Sequence, residues 1–138
     1  MLNIPKAIYD QMLVQARAEA PNECCGLLAG RDGTVDRIFP MTNIERSPVR
    51  YLIDPKEQFA AFKDMRAQET ELLAIYHSHP QTEAYPSATD VRLAYYPDAV
   101  YIVISLRDRG RPVVNAYRIV DDTITPEEWK VDGPTHPA

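Results

Sequence analysis

The chain is organised around the stretch Ile75-Tyr-His-Ser-His-Pro-Gln-Thr-Glu-Ala-Tyr-Pro-Ser-Ala-Thr-Asp90. The apolar residues 72–76 lead into its histidines, and a short apolar run of this kind predicts a β-strand. Because successive side chains of a strand point to opposite faces, we expect His77 and His79 to point the same way from the end of that strand. Two imidazoles are thus predicted to lie side by side.

The segment 87–95 that follows is predicted to be a helix. Residues three positions apart share a face of a helix, so Ser87 and Asp90 are expected to lie together in its first turn. Two imidazoles and one carboxylate then form a pocket with three ligands for a divalent metal. Three protein ligands with one open position are typical of catalytic zinc, whereas structural zinc sites close all four positions.

Each half of this pattern also has a simpler interpretation. A His-x-His pair alone is a weak indication of metal binding, and Ser87-Ala-Thr-Asp90 alone is most simply the capping box of a helix. The joint spacing is harder to attribute to chance, because the chain has only three histidines in 138 residues and two of them fall here.

The same residues resemble a known motif. His77-Ser-His-Pro80, the seven residues between His79 and Ser87, and Asp90 are similar to the metal-binding motif of the JAMM/MPN+ (Mov34-type) zinc metallopeptidases. That motif also needs a glutamate well upstream, and Glu23 lies in a segment, 21–30, that looks like the corresponding family segment. The chain shows no departure at any motif position.

The resemblance implies a role for each motif residue. His77, His79 and Asp90 would bind one Zn²⁺ per chain, with a water in the fourth position. Glu23 would act as general base and then general acid. Ser87 has two compatible roles, as the helix cap or as a hydrogen-bond donor to the oxyanion, and the family pattern implies the second. Of the neighbouring residues, Ser78 is expected to point away from the metal.

The resemblance also implies a substrate. Small prokaryotic members act on ubiquitin-like or sulfur-carrier proteins by hydrolysing the amide bond after a C-terminal Gly-Gly, and one type releases cysteine from a sulfur carrier. The loop 81–86 could border the channel for that tail. Two alternatives stay open: a non-catalytic MPN scaffold, and a thiol nucleophile at Cys24 or Cys25. Cys25 is expected to share a side with Glu23, and a homodimer is also left open.

Composition restricts the other classes of function. The net charge of −5 leaves no basic surface for nucleic acid, and no apolar run approaches the length of a membrane span. The N-terminus lacks a basic region followed by an apolar one, which predicts no signal peptide. The only two cysteines are adjacent, which fits a reducing compartment and predicts a cytoplasmic location. We expect one domain over 1–132 and a flexible C-terminal tail over 133–138, in which His136 is a solvated bystander.

The hydrophobic pattern along the chain predicts helices over 5–20, 55–70 and 87–95, a β-hairpin over 24–41 that turns at Asp32-Gly33, strands over 49–53, 72–76, 99–106 and 112–120, and an edge strand over 124–131. Elements in this order predict a single α/β domain with three layers around a mixed sheet. The resemblance agrees and implies a curved mixed sheet flanked by helices, as in the JAMM/MPN and cytidine-deaminase-like folds.

Overall fold

The computed structural model describes residues 1–132. Its strands are β1 (Leu2–Pro5), β2 (Cys25–Arg31), β3 (Thr34–Met41), β4 (Glu71–His79), β5 (Val100–Ser105), β6 (Val113–Val120), β7 (Thr123–Pro126) and β8 (Trp129–Asp132). Its helices are α1 (Lys6–Glu19), α2 (Pro55–Ala67) and α3 (Ala88–Arg92). The expected tail 133–138, with His136, lies outside the described residues, so the domain boundary at 132 stays a prediction.

The strands form one mixed sheet of eight strands in the order β7-β6-β5-β4-β2-β3-β1-β8. The strand that carries the histidines, β4, lies near the middle, antiparallel to β2 and parallel to β5. It continues through His79, three residues beyond the predicted end. Neighbours on both sides hold this strand in place, which fixes the backbone from which His77 and His79 project.

Helices cover both faces of the sheet, which confirms the three-layer α/β architecture. Helix α1 buries Ile8, Met12 and Ala16 at helical spacing in one hydrophobic cluster, and α2 buries Ala61 and Met65 in a second cluster on the opposite face. Val14 of α1 and Phe59 of α2, although apolar, are largely exposed.

The β-hairpin of β2 and β3 forms where the sequence predicts it. Asp32 and Gly33 have φ angles of 52° and 78°, as a type I′ turn requires, and Asp-Gly suits such a turn because glycine adopts positive φ freely and aspartate more readily than most residues. Strand β5 forms within the predicted range 99–106 and is buried along its whole length, as is typical of a continuous β-branched run. These strands form the scaffold of the site.

Three predictions about elements were wrong. Residues 49–53 form no strand and contribute only an isolated bridge between Asn43 and Ile53. Helix α3 is five residues long and ends at Arg92, three residues before the predicted end. Strand β1, which the sequence did not predict, pairs in parallel with β8 and with β3. A segment of four residues is too short to show a periodicity that identifies it.

The predicted edge strand over 124–131 is divided into β7 and β8, which lie on opposite edges of the sheet. In a flat sheet, seven spacings of ~4.8 Å would separate those edges by ~34 Å, whereas the three chain steps from Pro126 to Trp129 reach at most ~11 Å. The sheet therefore curls until its edges approach each other. The linker contacts both sides, since Glu127 N–H donates to Ala116 O at 2.9 Å and Leu2 N–H donates to Glu128 O at 3.2 Å.

Among the helices of residues 1–132, none combines the length and the apolar character that crossing a membrane requires.

Candidate metal centre

Three side chains converge at the carboxyl end of β4. The Nε2 atoms of His77 and His79 are 3.1 Å apart, and each lies 3.0 Å from Oδ2 of Asp90. All three side chains are buried. The spacing predicted this proximity, and the structure brings the three residues together in a nearly equilateral triangle of donor atoms.

Local structure explains why these atoms meet. His77 and His79 alternate with Ser78 along β4, so both rings project from one face of the sheet. Asp90 is held by the capping box of α3, in which the Asp90 N–H donates to Ser87 Oγ at 3.1 Å and the Ser87 N–H donates to Asp90 Oδ2 at 2.8 Å. The helix cap that the sequence predicted therefore also aims the carboxylate at the histidines.

A backbone carbonyl sets the tautomer of His79. Its Nδ1 lies 2.9 Å from the carbonyl oxygen of Glu83, which can only accept a hydrogen bond. Nδ1 therefore carries a proton, and Nε2, which faces Asp90, carries a lone pair when the ring is neutral and donates to Asp90 when the ring is protonated. Histidine ligands of metals characteristically donate their other ring N–H to a carbonyl or carboxylate in this way.

The triangle fits a divalent metal ion. A lone pair on Nε2 of His79 and an anionic oxygen of Asp90, 3.0 Å apart, repel each other unless a positive charge lies near both. Zinc bonds of 2.0–2.1 Å to ligands at tetrahedral angles place those ligands about 3.3–3.4 Å apart, and the observed separations of 3.0–3.1 Å are only slightly shorter. Two imidazoles with one carboxylate also form a donor set that suits zinc.

The pKa shifts show that the site favours positive charge. Burial alone would raise the pKa of Asp90, but hydrogen bonds and charge from His77, with further hydrogen bonds from His79 and the Ser87 amide, lower it well below its usual value. Burial would lower the pKa of His79, but hydrogen bonds to Asp90 and to the Glu83 carbonyl raise it. Protons therefore compete with a metal ion for these ligands.

Glu23 lies just before β2, outside the triangle. Its backbone N–H donates to Ser47 O at 2.9 Å, and its carbonyl accepts from Nδ2 of Asn43 at 3.1 Å. The side chain is only 2% exposed, and its Oε1 has no hydrogen-bond partner within the described residues. Burial raises the pKa of Glu23 to about 8, with smaller opposing effects from His79 and Asp90. A carboxyl group with a pKa near neutrality is suited to proton transfer.

The adjacent cysteines lie on opposite faces of the sheet. Cys25 is paired in register with His77 across β2 and β4, so it shares a face with the site, and Cys24 lies in the hydrophobic cluster beneath α1. Burial raises the pKa of the Cys24 thiol to about 12, and burial also raises the pKa of Cys25 strongly. Both thiols are therefore protonated near neutral pH, which argues against a thiol nucleophile.

Ser78, between the two histidines, has a structural role. Its Oγ accepts the N–H of Cys24 at 2.8 Å, and its own N–H donates to Cys24 O at 3.1 Å. This pair of hydrogen bonds joins the end of β4 to the residue that follows Glu23. The side chain points away from the triangle, as the alternation along the strand predicts.

One aromatic residue at the site was not identified from the sequence. The ring of Tyr51 stacks on His77 with a centroid separation of 4.6 Å and an interplanar angle of 24°. Tyr51 also lines a mainly apolar cavity of about 140 Å³ beside the site, with Leu52, Ile53, Gln58, Ile75, Leu93, Tyr95, Tyr96 and Tyr101. It lies in a segment without regular structure, where periodicity carries no signal.

The chain is similar in sequence to a known protein family and to two proteins of named activity. The family model described as "Prokaryotic homologs of the JAB domain" matches residues 5–120. The chain is 45% identical to the CysO-cysteine peptidase of Mycobacterium tuberculosis, over 95% of this chain and 91% of that protein. It is 36% identical to a desampylase of Haloferax volcanii, over 75% of this chain and 80% of that protein.

Solved structures agree with the fold. The solution structure of a protein from Desulfitobacterium hafniense matches with a TM-score of 0.88 and 41% identity, covering 99% of this chain and 96% of that one. A JAB1/MPN domain protein from Archaeoglobus fulgidus matches with a TM-score of 0.60 and 16% identity, covering 94% and 97% of the two chains. At that identity, the second match shows the fold alone.

Proposed function

The chain belongs to the family of prokaryotic homologs of the JAB domain, within the JAMM/MPN group, and is a hydrolase; from this premise we propose that it is a zinc-dependent peptidase. Its substrate is the amide bond that follows the C-terminal Gly-Gly of a ubiquitin-like or sulfur-carrier protein. The observation that carries the proposal is the buried triangle of His77, His79 and Asp90 beside the unpaired carboxyl group of Glu23.

In this proposal His77, His79 and Asp90 bind one zinc ion per chain. When bound, zinc lowers the pKa of a coordinated water from 15.7 to about 7 and polarises a carbonyl group. The Glu83 carbonyl keeps the Nε2 lone pair of His79 directed at the ligand triangle, and the capping box keeps Asp90 there. The donor atoms are therefore held in place before an ion arrives.

Glu23 transfers the proton. Its carboxylate takes the proton of the attacking water and then delivers it to the departing amine, so that the carboxylate is regenerated when the C–N bond has broken. In the metal-free protein burial raises the pKa of Glu23 to about 8, and a carboxyl group with a pKa near neutrality can both accept and release a proton. Its unpaired Oε1 leaves one oxygen free for this exchange.

Ser87 stabilises the charge that develops on the substrate oxygen. Its Oγ accepts the Asp90 N–H, which uses a lone pair and leaves the hydroxyl proton free to donate. A donor fixed at the start of a helix, directly beside the ligand triangle, needs no reorganisation during the reaction.

The proposed substrate rests on the relatives and on the surroundings of the site. The M. tuberculosis relative is named a CysO-cysteine peptidase, and the H. volcanii relative a desampylase. A Gly-Gly tail has no side chains, so it can reach buried groups such as Glu23 that a bulkier chain could not approach. An extended tail can bind by strand addition to exposed backbone, and the apolar cavity beside Tyr51 can receive a preceding side chain.

The non-catalytic scaffold is the competing function. It predicts that at least one ligand or the proton-transfer group is lost, whereas His77, His79, Asp90 and Glu23 are all present and buried. A cytoplasmic location and a homodimer stay predictions.

The test uses the purified full chain loaded with zinc and a ubiquitin-fold carrier extended beyond Gly-Gly by a single amino acid. We expect wild-type protein to release that residue and Glu23→Gln to lose 10²–10⁴-fold in kcat while it keeps one zinc per chain. Glu19→Gln, which changes a nearby carboxyl group outside the triangle, serves as the control and is expected to stay within about twofold of wild type.

Two results would contradict the proposal. Zinc-loaded wild-type protein that cleaves no Gly-Gly extension would favour the scaffold. Cleavage by Glu23→Gln at more than a tenth of the wild-type rate would remove Glu23 from the mechanism.

A further inference from the structure

The loop between β4 and α3 is held by side chains of two other strands. Ser105, at the end of β5, donates from Oγ to the carbonyl of Thr82 at 2.5 Å. Tyr117, in β6, donates from its hydroxyl to the carbonyl of Ala84 at 2.6 Å, and Nδ2 of Asn115 donates to the same oxygen at 3.3 Å. Two backbone carbonyls of a loop that lacks regular structure are thereby attached to the sheet.

The residue between those two carbonyls is the one that contacts the metal centre. The carbonyl of Glu83 accepts Nδ1–H of His79 at 2.9 Å and also the N–H of Tyr85 at 2.9 Å. The Glu83 carbonyl belongs to the peptide plane between residues 83 and 84, and the planes on either side of it carry the two fixed carbonyls, those of Thr82 and Ala84. Its oxygen is therefore held toward His79.

Burial makes these hydrogen bonds selective for one loop conformation. Ser105, Tyr117 and Ala84 are 4%, 7% and 6% exposed, so a shift of the loop would leave their polar groups without water as a substitute partner. The ring of Tyr117 also packs edge-on against Tyr85, with centroids 5.4 Å apart. The hydroxyl of Tyr117 is thus held independently of its hydrogen bond.

We propose that Tyr117 and Ser105 are positioning residues for His79, which act through the carbonyl of Glu83 to raise the affinity of the site for its metal ion. By keeping the Glu83 carbonyl hydrogen-bonded to Nδ1–H of His79, they keep the lone pair of His79 Nε2 directed at the position where the metal ion would bind. The proposal rests on the metal site of the proposed function. It adds two residues outside the motif: Tyr117, which acts on His79 only through the loop, and Ser105, which is also the register partner of His79 on β5.

The expected effect is moderate. Changing a group that is hydrogen-bonded to a metal ligand typically weakens metal binding 10–100-fold. Tyr117 acts one step further from the ion, through the backbone, so we expect the zinc Kd of Tyr117→Phe to rise about tenfold. The phenylalanine ring retains the packing against Tyr85, and the metal-free protein should therefore lose little thermal stability.

The experiment measures the zinc Kd of the full chain by competition with a chromophoric chelator, alongside the Tm of the metal-free protein. Tyr101→Phe is a matched control. Tyr101 is the register partner of Tyr117 on the neighbouring strand, it is buried, and its hydroxyl accepts the N–H of Tyr96 at 3.0 Å, which belongs to a different loop. We expect its zinc Kd to stay within about twofold of wild type.

A second variant and a spectrum keep the proposal testable if Tyr117→Phe folds poorly. Ser105→Ala removes the hydrogen bond to Thr82 from the other side of Glu83, and it should weaken zinc binding in the same direction. In the cobalt-substituted protein, both variants should shift the visible absorption bands, because the orientation of His79 changes.

The proposal is overturned if Tyr117→Phe and Ser105→Ala both bind zinc within twofold of wild type, or if Tyr101→Phe weakens binding as much as they do. Neither measurement uses cleavage. If wild-type protein binds zinc but the peptidase assay fails, the proposed function is contradicted. If the enzyme is active but the zinc Kd of both variants equals that of wild type, only the role of these positioning residues is contradicted.

Discussion

Ser87 makes one hydrogen bond as the cap of α3 and is proposed to make another to the substrate oxyanion, and their loss would have different consequences. Replacing it by alanine removes the cap of α3, which typically costs ~1 kcal/mol of stability. It also removes the proposed donor to the oxyanion, and the loss of one such donor in other hydrolases costs ~2.7–4 kcal/mol of barrier, or 10²–10³ in kcat. We therefore expect Ser87→Ala to lower kcat 10²–10³-fold while it lowers the free energy of unfolding by only ~1 kcal/mol.

The measurement is kcat on the Gly-Gly substrate beside the denaturant midpoint of the same zinc-loaded preparation. Thr89→Ala, in the same short helix, is the control, because its Oγ1 accepts only from the exposed Arg92 side chain among the described contacts. A folded Ser87→Ala protein with kcat within fivefold of wild type would show that the serine only caps the helix.

For single residues, the sequence predicts which side chains lie close together when both belong to one helix or strand, because that element fixes the distance between them. His77 and His79 are two apart on a strand, and Ser87 and Asp90 are three apart at a helix start, so local geometry alone brings each pair together. The carbonyl of Glu83 and the hydroxyl of Tyr117 could not be predicted, because their contacts depend on the path of an irregular loop. The catalytic role of Glu23 came from family resemblance, and it stays a prediction.

Among the elements, the segment 43–53 shows how a side chain can replace a β-ladder. Oδ1 of Asn43 accepts the N–H groups of Glu45 and Leu52, both at 3.0 Å, while its Nδ2 donates to the carbonyls of Glu23 and Arg50, both at 3.1 Å. One buried amide thus closes the loop and attaches it to the residue proposed to transfer protons.

Asn43→Ala should loosen this loop and misplace Glu23. Losing one partner of a buried hydrogen bond typically costs ~1–3 kcal/mol, so we expect a fall of that order in the free energy of unfolding. The amide of Leu52 should lose protection from hydrogen exchange, and kcat should fall at least tenfold. Asn43→Asp should be no better, because its carboxylate would face two carbonyl oxygens.

The control for this loop is Asn22→Ala, since Asn22 is next to Glu23 and makes no side-chain hydrogen bond within residues 1–132. Hydrogen exchange at Leu52 should be unchanged in that variant. Unaltered protection of Leu52 in Asn43→Ala would show that the loop is held by other contacts.

Elements with many repeats of a pattern were predictable, and short ones were not. The buried face of α1 and the apolar run of β5 each carry several consecutive signals that agree. Residues 49–53 have the composition of a strand, but the amide of Asn43 satisfies the backbone that a neighbouring strand would otherwise pair. Strand β1 has four residues and owes its conformation to β8, more than 120 residues away along the chain.

Considering the whole molecule, the sequence predicts the layers of the fold but not the closure of its sheet. The layers follow from the alternation of helices and strands, together with the handedness of their connections. Closure depends on Glu127 and Glu128, the two residues between β7 and β8. Two glutamates in a row form no sequence pattern that predicts it. Their backbone groups contact β6 and β1, which a local pattern cannot show.

Burying a carboxyl group without a partner makes the stability of the whole molecule depend on pH. Burial raises the pKa of Glu23 from 4.5 to about 8, so between these values the folded state holds a proton that the unfolded state has released. The free energy of unfolding of metal-free protein should therefore fall as pH rises from 5 to 8, by up to about 1.4 kcal/mol per pH unit for one proton. The raised pKa of His79 acts in the same direction, whereas the lowered pKa of Asp90 acts only below about pH 4.

Zinc should reverse this trend, because protons compete with the ion for its ligands and zinc affinity therefore rises with pH. Metal-free protein should lose Tm from pH 5 to 8, whereas at a fixed zinc concentration the stabilisation by zinc should grow with pH and reach about 2.7 kcal/mol where that concentration equals 100 times the zinc Kd. Metal-free Glu23→Gln, which cannot titrate, should show a flatter profile and exceed wild type at pH 8. Equal slopes for wild type and Glu23→Gln would mean that Glu23 is ionised in the folded protein throughout this range, and its proposed role in proton transfer would lose its physical basis.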